Sequence, residues 1–282
     1  MRINPMLTDI THVRRLMDAV TECGVTPPES LSSVLDGLDT LTGATAISDP
    51  TQALIRAAFD GGAPAAEKSL AEFAVAELVA EKRKGLRGVI DPAFTQEFCD
   101  RLEAGGADEI LDILRPAFDD AVAVIADAQR MVDVTADAQT VMDEASAEQL
   151  AAWQSIPGAV AKLDQIASVA GSFGPKAQSF SLVAPPHGLE FGWAQNNAVM
   201  CSAGDLINDS RAFAMAGNQP RQSAWLRVAP RLNTIAEARE RVRAYAESAW
   251  ASMNGHAKRG RLTDTGDVAW DPVRNPFALA NK

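Results

Sequence analysis

The sequence predicts a mainly α-helical protein: a multi-helix bundle with a short coiled-coil-like hairpin, then a smaller irregular or α+β region ending in an amphipathic helix. Three observations carry that expectation. Alanine, the residue with the best intrinsic helix propensity, is the commonest in the chain. Aromatic residues are only 6% of the 282, so the core must be built from Leu, Val, Ile, Met and Ala, which suits helix-on-helix packing. Capping residues, prolines and glycines recur where helices would start and stop.

Taken in order, Asn4-Pro5 sets a capping side chain before a proline at the first helical position. Ile10, Val13, Met17 and Val20 follow at helical spacing, and Gly24 closes the run. Thr26-Pro27-Pro28-Glu29 reads as a capping box opening a helix through Leu31, Val34 and Leu38. Asp49-Pro50-Thr51-Gln52 repeats the device, and Gly61-Gly62 ends that helix. A longer helix is expected from about Pro64, with Leu70, Phe73, Ala74 and Leu78 on one stripe. Lys82, Arg83 and Lys84 fall in its last turn, where cations complement the helix dipole. Asp91-Pro92 is expected to start the next helix and Gly105-Gly106 to stop it.

Leu111, Leu114, Phe118, Ala121, Ile125, Ala128 and Val132 then alternate three and four residues apart, a heptad spacing. Pro116 is expected to mark a fresh start, because an interior proline removes a hydrogen bond. The seam fades through Thr135, Gln139 and Met142, so a short hairpin is expected and not a long rod. Ser146-Ala147-Glu148-Gln149 opens another helix, and Pro157 begins one more through Val160, Leu163, Ile166 and Val169. From Gly171 the chain is rich in Gly, Pro, Asn and Ser, with Phe180–Val183 and Trp225–Val228 as candidate strands. Thr234-Ile235-Ala236-Glu237 caps an amphipathic helix whose stripe is Ile235, Ala238, Val242, Tyr245, Ala249 and Met253. The polar, proline-punctuated tail after Gly255 reads as an extended arm. The expected divisions are therefore 1–170, 171–232, 233–254 and 255–282.

Apolar residues at 47% and charged residues at 22% describe an ordinary globular composition. No apolar run approaches the roughly 18 residues that span a bilayer. Met1-Arg2-Ile3-Asn4-Pro5 and the charges at Asp9, Arg14 and Arg15 do not read as a signal peptide. Cys23, Cys99 and Cys201 form no CxxC pair and no disulfide framework, so a reducing, cytoplasmic compartment is expected.

The sequence holds no GxGxxG opening a βαβ unit, no GxxxxGK[ST], no GxSxG and no HExxH. Asp133, Thr135, Asp137 and Glu144 have the spacing of a calcium loop, but Ala138 stands where its tight turn needs glycine, so a solvated acidic helix face is expected. His187 and Glu190 lie near Cys201 in a loop-rich stretch, and Gly204-Asp205-Leu206-Ile207-Asn208-Asp209 offers carboxylates in a turn. A buried cysteine and turn chemistry account for these without catalysis. The isolated His12, His187 and His256 make a poor metal set. No cofactor or metal is expected, and a non-enzymatic role is favoured.

The positive clue is charge. Net charge is −11, yet residues 211–282 hold 12 Lys and Arg against 6 Asp and Glu, a local +6 against −17 for residues 1–210. Arg239, Arg241, Arg243, Lys258, Arg259 and Arg261 are the candidate partner-binding residues. Glu237, Glu240 and Glu247 interrupt them and the acidic body repels phosphate, which argues against nucleic acid. The competing account is internal: a basic tail paired with its own acidic body. In layout, an acidic helical body with a basic C-terminal docking helix is similar to the morphogenesis proteins and scaffolds of tailed bacteriophages. That resemblance implies a structural or assembly protein, a capsid- or tail-associated component, with a protein partner or self-assembly and a cytoplasmic or virion location. The alternatives are an enzyme with a site near His187–Asp209 and a regulatory adaptor binding one protein partner.

Overall fold

The computed structural model describes residues 9–43, 55–56, 59, 62–173, 182–183, 198–201, 206–217, 219–254, 258–264 and 267–276, with the backbone alone at 62, 66, 76, 80, 82–87, 207 and 210. Among these residues the chain is mostly helical, with one small two-stranded antiparallel sheet near the C-terminus.

Helix α1 (Ile10–Glu22) is capped by Asp9, whose carboxylate accepts the His12 N–H at 3.0 Å. The expected Asn4-Pro5 start lies outside the described residues. Val13, Leu16, Met17 and Val20 are buried, and the chain leaves the helix through Gly24 at φ +81°, a conformation glycine adopts without a Cβ clash. Helix α2 (Glu29–Gly43) begins two residues later than a Thr26 cap would place it. Pro28 explains the shift: the residue before a proline is pushed out of the helical region, so Pro27 cannot be the first helical residue. The Pro28 carbonyl instead accepts the N–H groups of Leu31 and Ser32, each at 3.0 Å.

Two helices were expected between Pro64 and Gly105, and one is found. Helix α3 (Gly62–Arg101) runs 40 residues with Pro92 inside it, which corrects the start expected at Asp91-Pro92. The Thr95 hydroxyl donates to the Asp91 carbonyl at 2.8 Å beside the proline. Beyond it Thr95, Phe98 and Cys99 are buried, and Phe94 approaches α2 at Gly37, where a Cβ would sit 3.3 Å from its ring. The Asp49-Pro50 device lies outside the described residues. A π-helical turn (Leu102–Gly106) ends α3 where the glycine pair predicts, with Gly105 at φ +133° and Gly106 pressed against Leu31.

Helix α4 (Ala107–Met131) and helix α6 (Ala147–Ala170) form the centre of the protein. The heptad residues from Leu111 to Ala128 are all buried, and Val132 is partly buried against them. The Gln149 amide donates to the Met131 carbonyl at 2.9 Å, while Phe118 and Asp164 both meet Trp225, so the two helices run antiparallel. Pro116 and Pro157 are interior, not starts. An interior proline costs about 3 kcal/mol. Leu114 and Phe118 flank the first, and Ile156 and Val160 the second, all buried. At about 1.5–3 kcal/mol per buried side chain, burial on both sides outweighs the proline and keeps each helix whole.

Between them, Asp133 and Asp137 correct the expectation of continuous helix. The Asp133 carboxylate accepts the N–H and hydroxyl of Thr135 in a turn, and Asp137 caps the short helix α5 (Ala138–Glu144) through Thr140. These hydrogen bonds hold both carboxyls below their ordinary range. Ser146 caps α6 in the expected capping box with Gln149.

The core crosses residue 171 without a break. Phe173, Leu182, Val183, Ala198–Cys201, Trp225 and Leu232 join the cluster built on α1, α2, α4 and α6. Among the described residues of the two candidate strands, none is in a strand. Leu182 and Val183 are a bend whose N–H groups donate to the Phe173 carbonyl, with Phe180 outside the described residues, and Ala224–Leu226 is a 3-10 turn. Helix α7 (Leu206–Ala214) precedes that turn, and helix α8 (Ile235–Asn254) follows it. The α8 cap is the expected box: the Thr234 hydroxyl accepts the Glu237 N–H, and the Glu237 carboxylate accepts the Thr234 N–H. Ile235, Ala238 and Val242 are buried, whereas Met253 is exposed. In place of an extended arm, β1 (Lys258–Leu262) pairs with β2 (Val268–Pro272), Gly260 lying opposite Trp270. The Asn275 amide donates to the Glu247 carbonyl, tying the tail back to α8.

Candidate interaction surface and buried polar node

Helix α8 carries three of the six candidate cations, and each makes contacts within the chain. The Arg239 guanidinium donates to the Leu182 carbonyl at 2.7 Å and lies 3.3 Å from Glu103 of the π-turn. Arg243 is bracketed by Glu240 and Glu247 one turn to either side. Arg241 points inward, donating to the Ala198 carbonyl at 3.3 Å and standing 3.9 Å from the carboxylate of Asp209 on α7.

Arg241 belongs to a buried polar node. Asp209 is only 4% exposed and Asn233 only 2%. The Asn233 amide donates to the carbonyls of Ala198 and Cys201, each at 2.8 Å, clamping the 198–201 segment to the start of α8. Burial pushes the Cys201 thiol up to about 12, with Asp209 adding to the shift and Arg241 opposing it. A thiol held that firmly in its neutral form is not a nucleophile at neutral pH. His187, Glu190, Gly204 and Asp205 lie outside the described residues. Burial also pulls the Arg241 guanidinium below its usual range, against the opposing fields of Cys201 and Asp209.

The other three cations stand on the hairpin. Lys258, Arg259 and Arg261 are exposed; Arg261 lies 3.4 Å from Asp271 on the facing strand, and among the described residues Lys258 and Arg259 make no ion pair. Apolar side chains share this hairpin and are equally unburied: Leu262 is 73% exposed, Val268 53% and Trp270 64%. The six cations therefore form two groups, one knitted into the fold and one presented outward.

A cleft of about 320 Å³ opens between α6 and the 213–224 segment, lined by Pro157, Val160, Asp164, Phe213 and Pro220 among others. Its polar groups serve the fold. Asp164 accepts the Trp225 indole N–H at 2.7 Å, and the Ser223 hydroxyl accepts the Trp225 backbone N–H. Trp225 is edge-on to Phe118 and Phe213, with centroids 6.1 and 5.0 Å away. Beside it the Arg221 guanidinium lies 3.2 Å above the Trp153 ring, a cation–π contact on a partly desolvated cation. Among the described residues no group of His, Cys, Asp and Glu could hold a metal ion, and no helix is long and apolar enough to cross a membrane.

Sequence reasoning missed Asp209, Asn233, Asp164 and Trp225 as a connected framework, because no motif links residues so far apart in the chain. It also missed the hairpin, whose one signal was Asp264-Thr265-Gly266 between Leu262 and Val268. Comparisons with known protein families, with curated proteins and with solved structures find no match to this chain.

Proposed function

We propose that the chain is a non-enzymatic structural or assembly protein that docks an acidic protein partner through its C-terminal hairpin. The observation that carries this reading is the composition of that hairpin: Lys258, Arg259 and Arg261 beside Leu262, Val268 and Trp270, all exposed or nearly so on one two-stranded element. An aromatic anchor with a cationic surround is the usual chemistry of a protein interface, where Trp and Arg dominate the binding energy. The cations of α8 take a different part. Their contacts with Glu103, Asp209, Glu240 and Glu247 fix the platform from which the hairpin projects.

The specific form of the reading is a particle-assembly component of the tailed-bacteriophage kind, working in the cytoplasm or built into a virion. The acidic body and basic end support it, since opposite charge on one chain lets copies and partners meet in a fixed orientation. The test is affinity capture from the native source with the full chain and with a Lys258→Glu, Arg259→Glu, Trp270→Ala variant. Wild type should retain an acidic partner that is released by about 0.5 M salt, as screening at that strength demands. The variant should lose it while keeping wild-type circular dichroism. Equal capture by both proteins refutes the proposal.

A further inference from the structure

We infer that the outer edge of β1 is a strand-addition site, where an extended acidic segment of the partner protein pairs as a third strand. The inference rests on the docking reading above and supplies its mode of contact. Every residue of β1 is exposed, and among the described residues no backbone hydrogen bond is made along the edge turned away from β2. The Thr263 N–H donates to the Asp267 carbonyl at 2.8 Å, so these two residues face each other as a hydrogen-bonded pair. Bonded and non-bonded pairs alternate from there along the ladder. The N–H and C=O groups of Lys258, Gly260 and Leu262 therefore point outward from β1, and the backbone groups of Val268, Trp270 and Pro272 outward from β2. The two edges are unequal. Pro272 has no N–H, which interrupts the edge of β2, whereas Lys258, Gly260 and Leu262 each offer a donor and an acceptor. A two-stranded hairpin is marginally stable in water, and a third strand adds the pairing it lacks.

Side-chain alternation and charge identify the occupant. A Cβ on Gly260 would sit 3.1 Å from Val268 Cγ1 and 3.4 Å from Trp270 Cζ3, which places these side chains on one face, shared with Lys258 and Leu262. Arg259, Arg261 and Asp271 take the opposite face, where Arg261 lies 3.4 Å from Asp271. A second copy of β1 is a poor occupant. Paired antiparallel about Gly260, it sets Arg259 against the copy's Arg261; paired parallel in register, it sets each arginine against itself. Like charges directly opposite each other destabilise a strand pair. The segment that fits alternates in the same way as β1, with acids beside Arg259 and Arg261 on one face and apolar side chains extending the face of Leu262 and Trp270 on the other. Its backbone supplies pairing and its acids supply selection.

The test titrates the full chain against a fluorescent probe peptide of alternating glutamate and valine, read by polarisation. The peptide should bind, and the same peptide with lysine in place of glutamate should not. Two N-methylated versions read the backbone directly. Methylating the valine nitrogens blocks antiparallel addition and methylating the glutamate nitrogens blocks parallel addition, so one version should bind and the other should fail. On the protein, Leu262 and Val268 form one non-bonded cross-strand pair, so proline at either removes an outward N–H without breaking a bond of the ladder. Leu262→Pro should weaken peptide binding about tenfold, while Val268→Pro should stay within about twofold of wild type. No binding of the glutamate peptide, equal binding of the lysine peptide, equal binding of the two methylated peptides, or equal losses from the two prolines would each overturn the inference. Capture of the native partner separates this from the docking reading. If Leu262→Pro captures it as wild type does while the Lys258→Glu, Arg259→Glu, Trp270→Ala variant does not, the docking reading stands and strand addition falls.

Discussion

Substituting the six C-terminal cations one at a time separates those that hold the fold from those that face outward. Arg241 should dominate. Its guanidinium stands 3.9 Å from Asp209, with side chains 19% and 5% exposed. At an effective dielectric of about 20 that separation corresponds to about 4 kcal/mol of attraction. Removing one partner of a buried pair costs about 3–5 kcal/mol, because the other charge stays behind. Arg241→Met should therefore lower unfolding stability by about 3 kcal/mol or more. Arg241→Met with Asp209→Asn should recover most of the loss, since neither charge is then stranded. Arg239→Met gives up one carbonyl hydrogen bond and a half-exposed pair with Glu103, about 1 kcal/mol. Lys258→Met and Arg259→Met should stay within about 0.5 kcal/mol of wild type, as surface substitutions do. Urea denaturation followed by far-ultraviolet circular dichroism measures the whole series. Arg241→Met within about 1 kcal/mol of wild type, or Arg259→Met as damaging as Arg241→Met, would refute the division into inner and outer cations.

Three further outcomes follow from the same contacts. Trp225→Ala should cost about 3–5 kcal/mol, the range for deleting a large buried ring, while Trp225→Phe should cost less by keeping the contacts with Phe118 and Phe213; a loss below about 1 kcal/mol for alanine would show that the 220–228 segment is not part of the core. Glu237 is held below its ordinary range chiefly by the Thr234 N–H, so its contribution is present above its unfolded pKa of about 4.5 and disappears as pH falls through the lower folded value. Glu237→Gln should flatten that acid limb in urea titrations between pH 5 and 3 (about the span of the two values), and an unchanged limb would contradict the capping role. Cys201 should resist a thiol reagent at pH 8 (roughly neutral conditions for a thiol held this high) in the folded protein and react after denaturation; rapid labelling of the native protein at Cys201 would contradict its burial.

The parts of the fold that were readable in the sequence are those whose physics is local. The seam from Leu111 to Ala128 shows because helical geometry repeats every three to four residues. The boxes at Ser146 and Thr234 show because a cap needs only residues three apart. The prolines were misread for the opposite reason. Pro92, Pro116 and Pro157 have the same local chemistry inside a helix as at its start, and what keeps those helices whole is burial of Phe98, Phe118 and Val160 against other elements. The buried node was invisible because Asp209 and Arg241 come from separate helices, and the Trp225 indole bonds to Asp164 across 61 residues. The charge reversal was readable, but its division was not: only the folded chain separates Arg241, turned toward Asp209, from Arg259 on the exposed hairpin.

The claim that the hairpin is the docking element is tested most directly by a photo-crosslinking amino acid placed at position 270 in the full-length chain, expressed in its native source. The account predicts a discrete adduct with an acidic protein, suppressed by Lys258→Glu with Arg259→Glu and absent when the probe sits at position 144, an exposed position on α5. No adduct at 270, or the same adducts from both positions, would contradict it.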